Sequence, residues 1–402
     1  VRSLFVIYPG SPLPLETGGS IRYWNLLLAL RELGEVDVWL MHEPDSARGK
    51  LLQTELGGGR VHADRPVIPE WSPRSDAAWL FWSRLPRWPE FDVDEVRARF
   101  AAWRMPRYDV VLSADAMCFE VLGRHAAGRQ VVDLGDVPDR TFARELRFEA
   151  HAAGLGVIHP RNAYRLGRGA LNLHRYRRLQ RDLRHRSVDL LTCSEADRSH
   201  LGSGDHVLVV PNGYERKGPP VGRAVPGEVP TILAQGAMRY APNIDAVRYF
   251  ARDILPRIRA TRGETRFLVV GAIEDDFRAE LAAFEGVEVL GFIPRIEDAL
   301  AQADLVVAPL RLGGGTRIKI LEAFSHRIPV ASTSVGAEGL DTVSGRDLLI
   351  ADTTDEFASA CVRLLDPGPL RQRVVDNAFA LVNEKFSWPV IRADFERSLR
   401  HA

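Results

Sequence analysis

Between residues 231 and 350, short apolar runs alternate with segments of helical period, and few architectures accommodate that rhythm. Strands are expected at 231–235, 266–271, 287–290, 304–309, 328–331 and 347–350, and helices at 243–259, 275–284 and 296–302. Strands separated by helices of this length read as a doubly wound parallel sheet, whose ligands bind at the carboxyl ends of the strands. The first half repeats the pattern with interruptions. Strands are expected at 4–8, 36–40, 110–112, 130–134, 189–192 and 207–210, with a helix at 21–33.

The run from Leu310 to Phe324 is the most informative single segment. Gly313, Gly314 and Gly315 follow the strand at 304–309 and lead into a helix, so the backbone there can come close to a ligand. Thr316 is the expected N-cap, and first-turn amides favour an anion. Arg317 and Lys319 add two cations to that turn, and Glu322 supplies a carboxylate suited to sugar hydroxyls. Such a segment can hold a phosphate with a sugar attached. Lys319 and Glu322 could also form a plain i, i+3 surface pair.

The 402 residues suffice for two α/β domains. Pro219, Pro220, Pro226 and Pro230, with Gly218, Gly222 and Gly227, mark 216–230 as a linker between a domain at 1–215 and another at 231–385. Formal net charge is zero, which gives no general field for nucleic acid, and no nucleic-acid motif accompanies the basic stretches. Three cysteines, Cys118, Cys193 and Cys361, far apart and outside any CxxC pattern, argue against a disulfide framework or zinc site and for a reducing cytoplasm.

Two insertions break the rhythm of the first half. Residues 71–108 hold Trp71, Trp79, Trp82, Trp88 and Trp103, and residues 139–186 hold twelve arginines against four acidic residues. The first reads as a local core, or as an apolar lip for an acceptor or a peripheral membrane contact. The second reads as a solvated basic helix face, or as a surface for an anionic acceptor or acidic headgroups. Asp92 and Asp94 form a DxD pattern, but among Pro86, Pro89 and Phe91 they read as a helix start rather than a metal site.

Taken in order, several pieces resemble the retaining glycosyltransferases of the GT-B fold, in the large class called family 4, near the exopolysaccharide sugar transferases. In the second half they are 236–247, 290–294, 303–309, the glycine loop through Ala323, and 334–340. In the first half they are Gly18 and Gly19, 132–137, and 210–213. The resemblance implies two Rossmann-like domains with a cleft between them and a helix at 386–402 crossing back to the first domain, where Trp388, Ile391 and Phe395 would dock.

It also implies transfer of a sugar from a nucleoside diphosphate, commonly uridine diphosphate, to an acceptor hydroxyl with retention, without metal or further cofactor. Phe292, Ile293 and Pro294 would meet the base, and Glu322 the ribose. Three departures stand out. The family's first Glu would fall at Gly314, its Arg and Lys near Ala237 and Asn243, and its His at Gly135. Arg317 and Lys319 are the candidates to carry the diphosphate charge instead, with Arg239 a third. Gly18 and Gly19 could add amides from the first domain. Asp136 could contact a sugar or acceptor hydroxyl, or merely cap the next segment. The remaining readings are an epimerase or phosphorylase of the same fold and a nucleotide-binding partner without catalysis.

Overall fold

The structure, a computed structural model, describes residues 1–8, 10–15, 17–43, 45–65, 86, 92–135, 137–153, 160–202, 204–313 and 316–400. Four of the five tryptophans of the first insertion, together with Asp136, Gly314 and Gly315, lie outside the described residues.

The chain divides into two compact units, Val1–Pro211 with the segment from Arg392 onward, and Asn212–Ile391. The 216–230 segment thus belongs to the second unit, where the Gly222 amide donates to the His326 carbonyl at 2.8 Å.

The first unit holds seven parallel strands: β1 Arg2–Ile7, β2 Glu35–Leu40, β3 Val61–Ala63, β4 Val110–Ser113, β5 Arg129–Gly135, β6 Asp189–Thr192 and β7 Val207–Val209, in the order β3-β2-β1-β4-β5-β6-β7. The second holds six: β8 Thr231–Gln235, β9 Arg266–Val270, β10 Val287–Gly291, β11 Leu305–Ala308, β12 Val330–Ser332 and β13 Leu349–Ile350, in the order β10-β9-β8-β11-β12-β13. Strand order reverses between β1 and β4 in one sheet and between β8 and β11 in the other. Ligand crevices of doubly wound sheets form at such reversals.

Burial on both faces explains the sequence pattern. Central strands such as β8 and β11 are buried throughout, so they read as continuous apolar runs rather than alternating ones. In the second unit one apolar layer gathers around Phe250, Phe267 and Phe357, and another around Phe324, Leu321 and Leu300.

Several expectations change. The helix expected at 243–259 is Ala241–Tyr249, a π-helical turn at Phe250–Ile254 and then Leu255–Arg262. The helix start read at Asp92 is kept: Asp92 caps the helix Val93–Trp103, accepting from the Asp94 and Glu95 amides. The last helix, Trp388–Arg400, starts in the second unit. There Ile391 and Trp388 pack so tightly on Gly213 that a Cβ on it would lie 2.6 Å from Ile391 Cδ1. Of the three residues expected to dock on the first domain, only Phe395 lies in the first unit. In that unit Arg392 Nη1 donates to Asn25 Oδ1 at 2.7 Å, and Arg129 Nη1 to the Leu399 carbonyl at 2.9 Å. All three cysteines are buried thiols.

Candidate functional site

The reversal between β8 and β11 gathers most of the sequence-predicted residues of the second unit. β8 ends at Gln235 and is followed by Gly236, whose φ of 147° lies in the region that favours glycine. A Cβ on Gly236 would lie 2.6 Å from Asn243 Nδ2 and 3.0 Å from Lys319 Nζ. The missing side chain is what lets an amide and an ammonium converge on this backbone. Asn243 donates from Nδ2 to the Ala237 carbonyl at 3.0 Å, which aims its Oδ1 at Lys319 Nζ, 2.8 Å away.

That ammonium therefore rests on a neutral oxygen rather than a carboxylate. Burial, and then the Arg317 guanidinium, push the Lys319 pKa down to about 7. The alternative of a plain surface pair between Lys319 and Glu322 is not what forms. Glu322 instead accepts from Gln235 Nε2 at 2.6 Å and from the Tyr214 hydroxyl, two partners that favour its charged form. Burial outweighs them and pushes its pKa up to about 7, while Tyr214 is raised by burial and by Glu322. Lys319 and Glu322 are thus both poised to change charge near neutral pH.

The helix carrying these residues is Ile318–Ser325, and it begins one residue later than expected. Its N-cap is Arg317, not Thr316. The Ile318 amide donates back to the Thr316 carbonyl at 3.1 Å, so Thr316 lies in a tight turn ahead of the helix. Buried Thr316 Oγ1 has no hydrogen-bond partner among the described residues. Gly313, at φ 103°, packs against Arg317, whose Nη2 would lie 3.0 Å from a Cβ there. Arg317 is buried beside it.

The other predicted residues of this unit sit on neighbouring strand ends. Arg239 is exposed in the turn after β8. Phe292 follows β10 with 75% of its surface exposed, Pro294 is exposed, and Ile293 packs on the core.

In the first unit, Gly18 and Gly19 open the helix Gly18–Leu33, which Thr17 and Ser20 close with a capping box. Asp133, within the strand expected at 130–134, lies inside β5 and is buried. Its carboxylate takes two hydrogen bonds of 2.7 Å from Arg22 Nε and Nη2, and Arg22 Nη1 donates to the Val210 carbonyl at 2.7 Å. This buried pair ties the first helix to the ends of β5 and β7. It holds the Arg22 guanidinium well above its ordinary pKa against the opposing effect of burial.

The sequence alone gave no sign of three members of the second site, Gln235, Tyr214 and the amide of Asn243 as a partner of Lys319. Each comes from a segment far from the glycine loop along the chain. Among the described residues no group of three His, Cys, Asp or Glu side chains could hold a metal ion, and no helix is long and apolar enough to cross a membrane.

Residues 229–367 match the family model described as glycosyl transferases group 1. The second unit therefore carries a group 1 glycosyltransferase domain, and the whole chain has the GT-B fold. Sucrose-phosphate synthase from Thermosynechococcus elongatus superposes with a TM-score of 0.66 at 14% identity, over 99% of this chain and 98% of that one. HepE from Anabaena, solved with UDP and glucose, gives 0.62 at 15% identity, over 100% and 99%. WaaG, a glycosyltransferase involved in lipopolysaccharide biosynthesis, gives 0.59 at 13% identity over the full length of both. At these identities the likeness establishes the fold. By sequence, an uncharacterized 44.6 kDa protein in the cps region of Klebsiella pneumoniae is 22% identical over 163 residues, 39% of this chain and 42% of that protein. The match thus spans less than half of either chain.

Proposed function

We propose that this chain is a glycosyltransferase that moves a sugar from a nucleoside diphosphate, uridine diphosphate foremost, to an acceptor hydroxyl, with retention and without a metal. The observation that carries the proposal is Lys319 Nζ, held 2.8 Å from a neutral amide oxygen beside Gly236 at the strand reversal. A cation kept without a carboxylate at such a crevice favours an anion.

In this reading the charge that the resemblance would place near Ala237 and Asn243 is delivered from the following helix, by Lys319 and Arg317. Glu322 accepts from the ribose hydroxyls, and the exposed ring and backbone of 292–294 meet the base. Chemistry at the donor needs the leaving phosphate stabilised as its bond to the sugar breaks, because charge develops there. Lys319 and Arg317 supply that stabilisation. The leaving phosphate oxygen then takes the proton of the acceptor hydroxyl as the new bond forms on the same face, so no separate protein base is required.

The domain match and the UDP bound in the HepE complex support the donor class. Incubation with a panel of UDP-sugars and hydroxylated acceptors, followed by proton NMR of the anomeric signal in chelator, tests the proposal. A glycoside with the donor's configuration is expected. Acceptor-free epimerised sugar, cleavage that requires added phosphate, or UDP binding without turnover would each replace this reading with a rival.

A further inference from the structure

The first unit contains a cavity of about 240 Å³ that the donor chemistry does not use, lined by Asp115, Ala116, Met117, Pro138, Thr141, Phe142 and Tyr176. It lies past the carboxyl end of β4, on the side of the strand reversal where ligands of such sheets sit. The rings of Phe142 and Tyr176 are stacked, with centroids 4.9 Å apart and planes 21° off parallel. They come from two separate helices, Pro138–Ala153 and Pro160–Arg184, so the apolar wall is fixed by the packing of those helices.

Among the described lining residues Asp115 is the one charged side chain, and none is a lysine or arginine, although the second of these helices is rich in arginine. Its carboxylate is held by the Cys118 amide, which donates to Oδ1 at 2.6 Å. Burial pushes the Asp115 pKa up, against hydrogen bonds that lower it.

We infer that this cavity binds the acceptor through a neutral, hydroxyl-bearing ring, its apolar face on Phe142 and Tyr176 and a hydroxyl donating to Asp115. The Asp115 carboxylate rejects phosphate and carboxylate groups, because an anion would meet a like charge there and, among the described lining residues, no cation. A hexose offering its C–H face and a phenol offering its ring share this chemistry. The inference rests on the transferase reading for the word acceptor, but the binding it describes does not depend on the donor site.

The test uses the full chain labelled with ¹³C at its methionine methyl groups. There are four methionines, and only Met117 lines the cavity. Methyl glucoside, phenol and phenyl glucoside are titrated in parallel with phenyl phosphate, and uridine diphosphate binding is followed separately by calorimetry. The Met117 signal is expected to move with at least one neutral ring and not with phenyl phosphate. A response to methyl glucoside identifies a sugar acceptor, and a response to phenol alone an aromatic one. Tyr176→Ala should weaken the response at least tenfold and leave uridine diphosphate binding unchanged, and Thr141→Trp, which fills the cavity from its rim, should do the same. A Met117 signal unmoved by every neutral ring, or moved equally by phenyl phosphate, overturns the inference even if uridine diphosphate binds. Failure of uridine diphosphate to bind while Met117 responds would instead count against the donor reading alone.

Discussion

Each unit keeps a cation near its strand reversal, and the two are treated in opposite ways. In the first, Arg22 is locked by two 2.7 Å bonds to Asp133 and a third to the Val210 carbonyl. Its charge is neutralised by Asp133 and each of its three nitrogens donates a hydrogen bond within the fold, so it holds backbone together. In the second, Lys319 leans on the amide oxygen of Asn243, and its pKa has fallen to about 7. A cation that the fold leaves without a carboxylate is destabilising until an anion arrives. In the proposed reading that difference separates a structural ion pair from a binding group, although both cations stand near the start of a helix beside a sheet.

The comparison can be broken first at the structural pair. Arg22→Met leaves Asp133 buried and unpaired, and should cost about 3–5 kcal/mol in chemical denaturation while folded protein still binds uridine diphosphate normally. Loss of binding without loss of stability would assign Arg22 to the ligand.

The next effect concerns Gly236. A methyl group there meets Asn243 and Lys319, and the backbone angle resists any other residue. Gly236→Ala should weaken uridine diphosphate at least tenfold by calorimetry; unchanged affinity would remove the Lys319–Asn243 corner from the site.

The pH dependence sharpens the contrast. A free-state pKa of about 7 for Lys319 means that an arriving diphosphate must restore its proton at higher pH. Affinity should therefore fall by up to about tenfold per unit between pH 7 and pH 9, and Lys319→Met should flatten that slope. Stability moves the other way. The folded pKa lies below the unfolded one, so the penalty is complete below about pH 7 and fades as pH rises toward the unfolded value. With part of the side chain reaching solvent, Lys319→Met should stabilise the unliganded protein at pH 6 by only about 1–2 kcal/mol, or roughly 2–4 °C in Tm. A loss of Tm would mean that the lysine supports the fold. Glu322→Gln, which keeps an acceptor for the ribose, should change uridine diphosphate affinity the least, by a few-fold.

How far the sequence reached follows the range of the interactions. Buried parallel strands carry their signal locally, and β8 and β6 fall on the residues expected from apolar runs alone. β3 was missed because Val61–Ala63 is three half-buried residues around a histidine, too short to leave a pattern. The glycine loop reads as a phosphate-type turn, and its expected cap falls one residue early. Thr316 has the right chemistry, but the turn closed by Ile318 delays the helix to the residue after Arg317. Nothing near Asp133 announces its ion-pair partner, because Arg22 stands 111 residues earlier. The contact between Lys319 and Asn243 spans 76 residues, and Asp115 and Tyr176 come from different helices, so neither the ammonium's partner nor the cavity leaves a mark on the local sequence.

The most direct measurement is calorimetric titration of uridine diphosphate into the natural chain and into the double variant Arg317→Ala with Lys319→Met, at pH 7. If these two side chains hold the diphosphate, the double variant stays folded and its Kd rises at least about a hundredfold, close to 2.7 kcal/mol. A folded double variant with an unaltered Kd would contradict the assignment of the diphosphate to this helix.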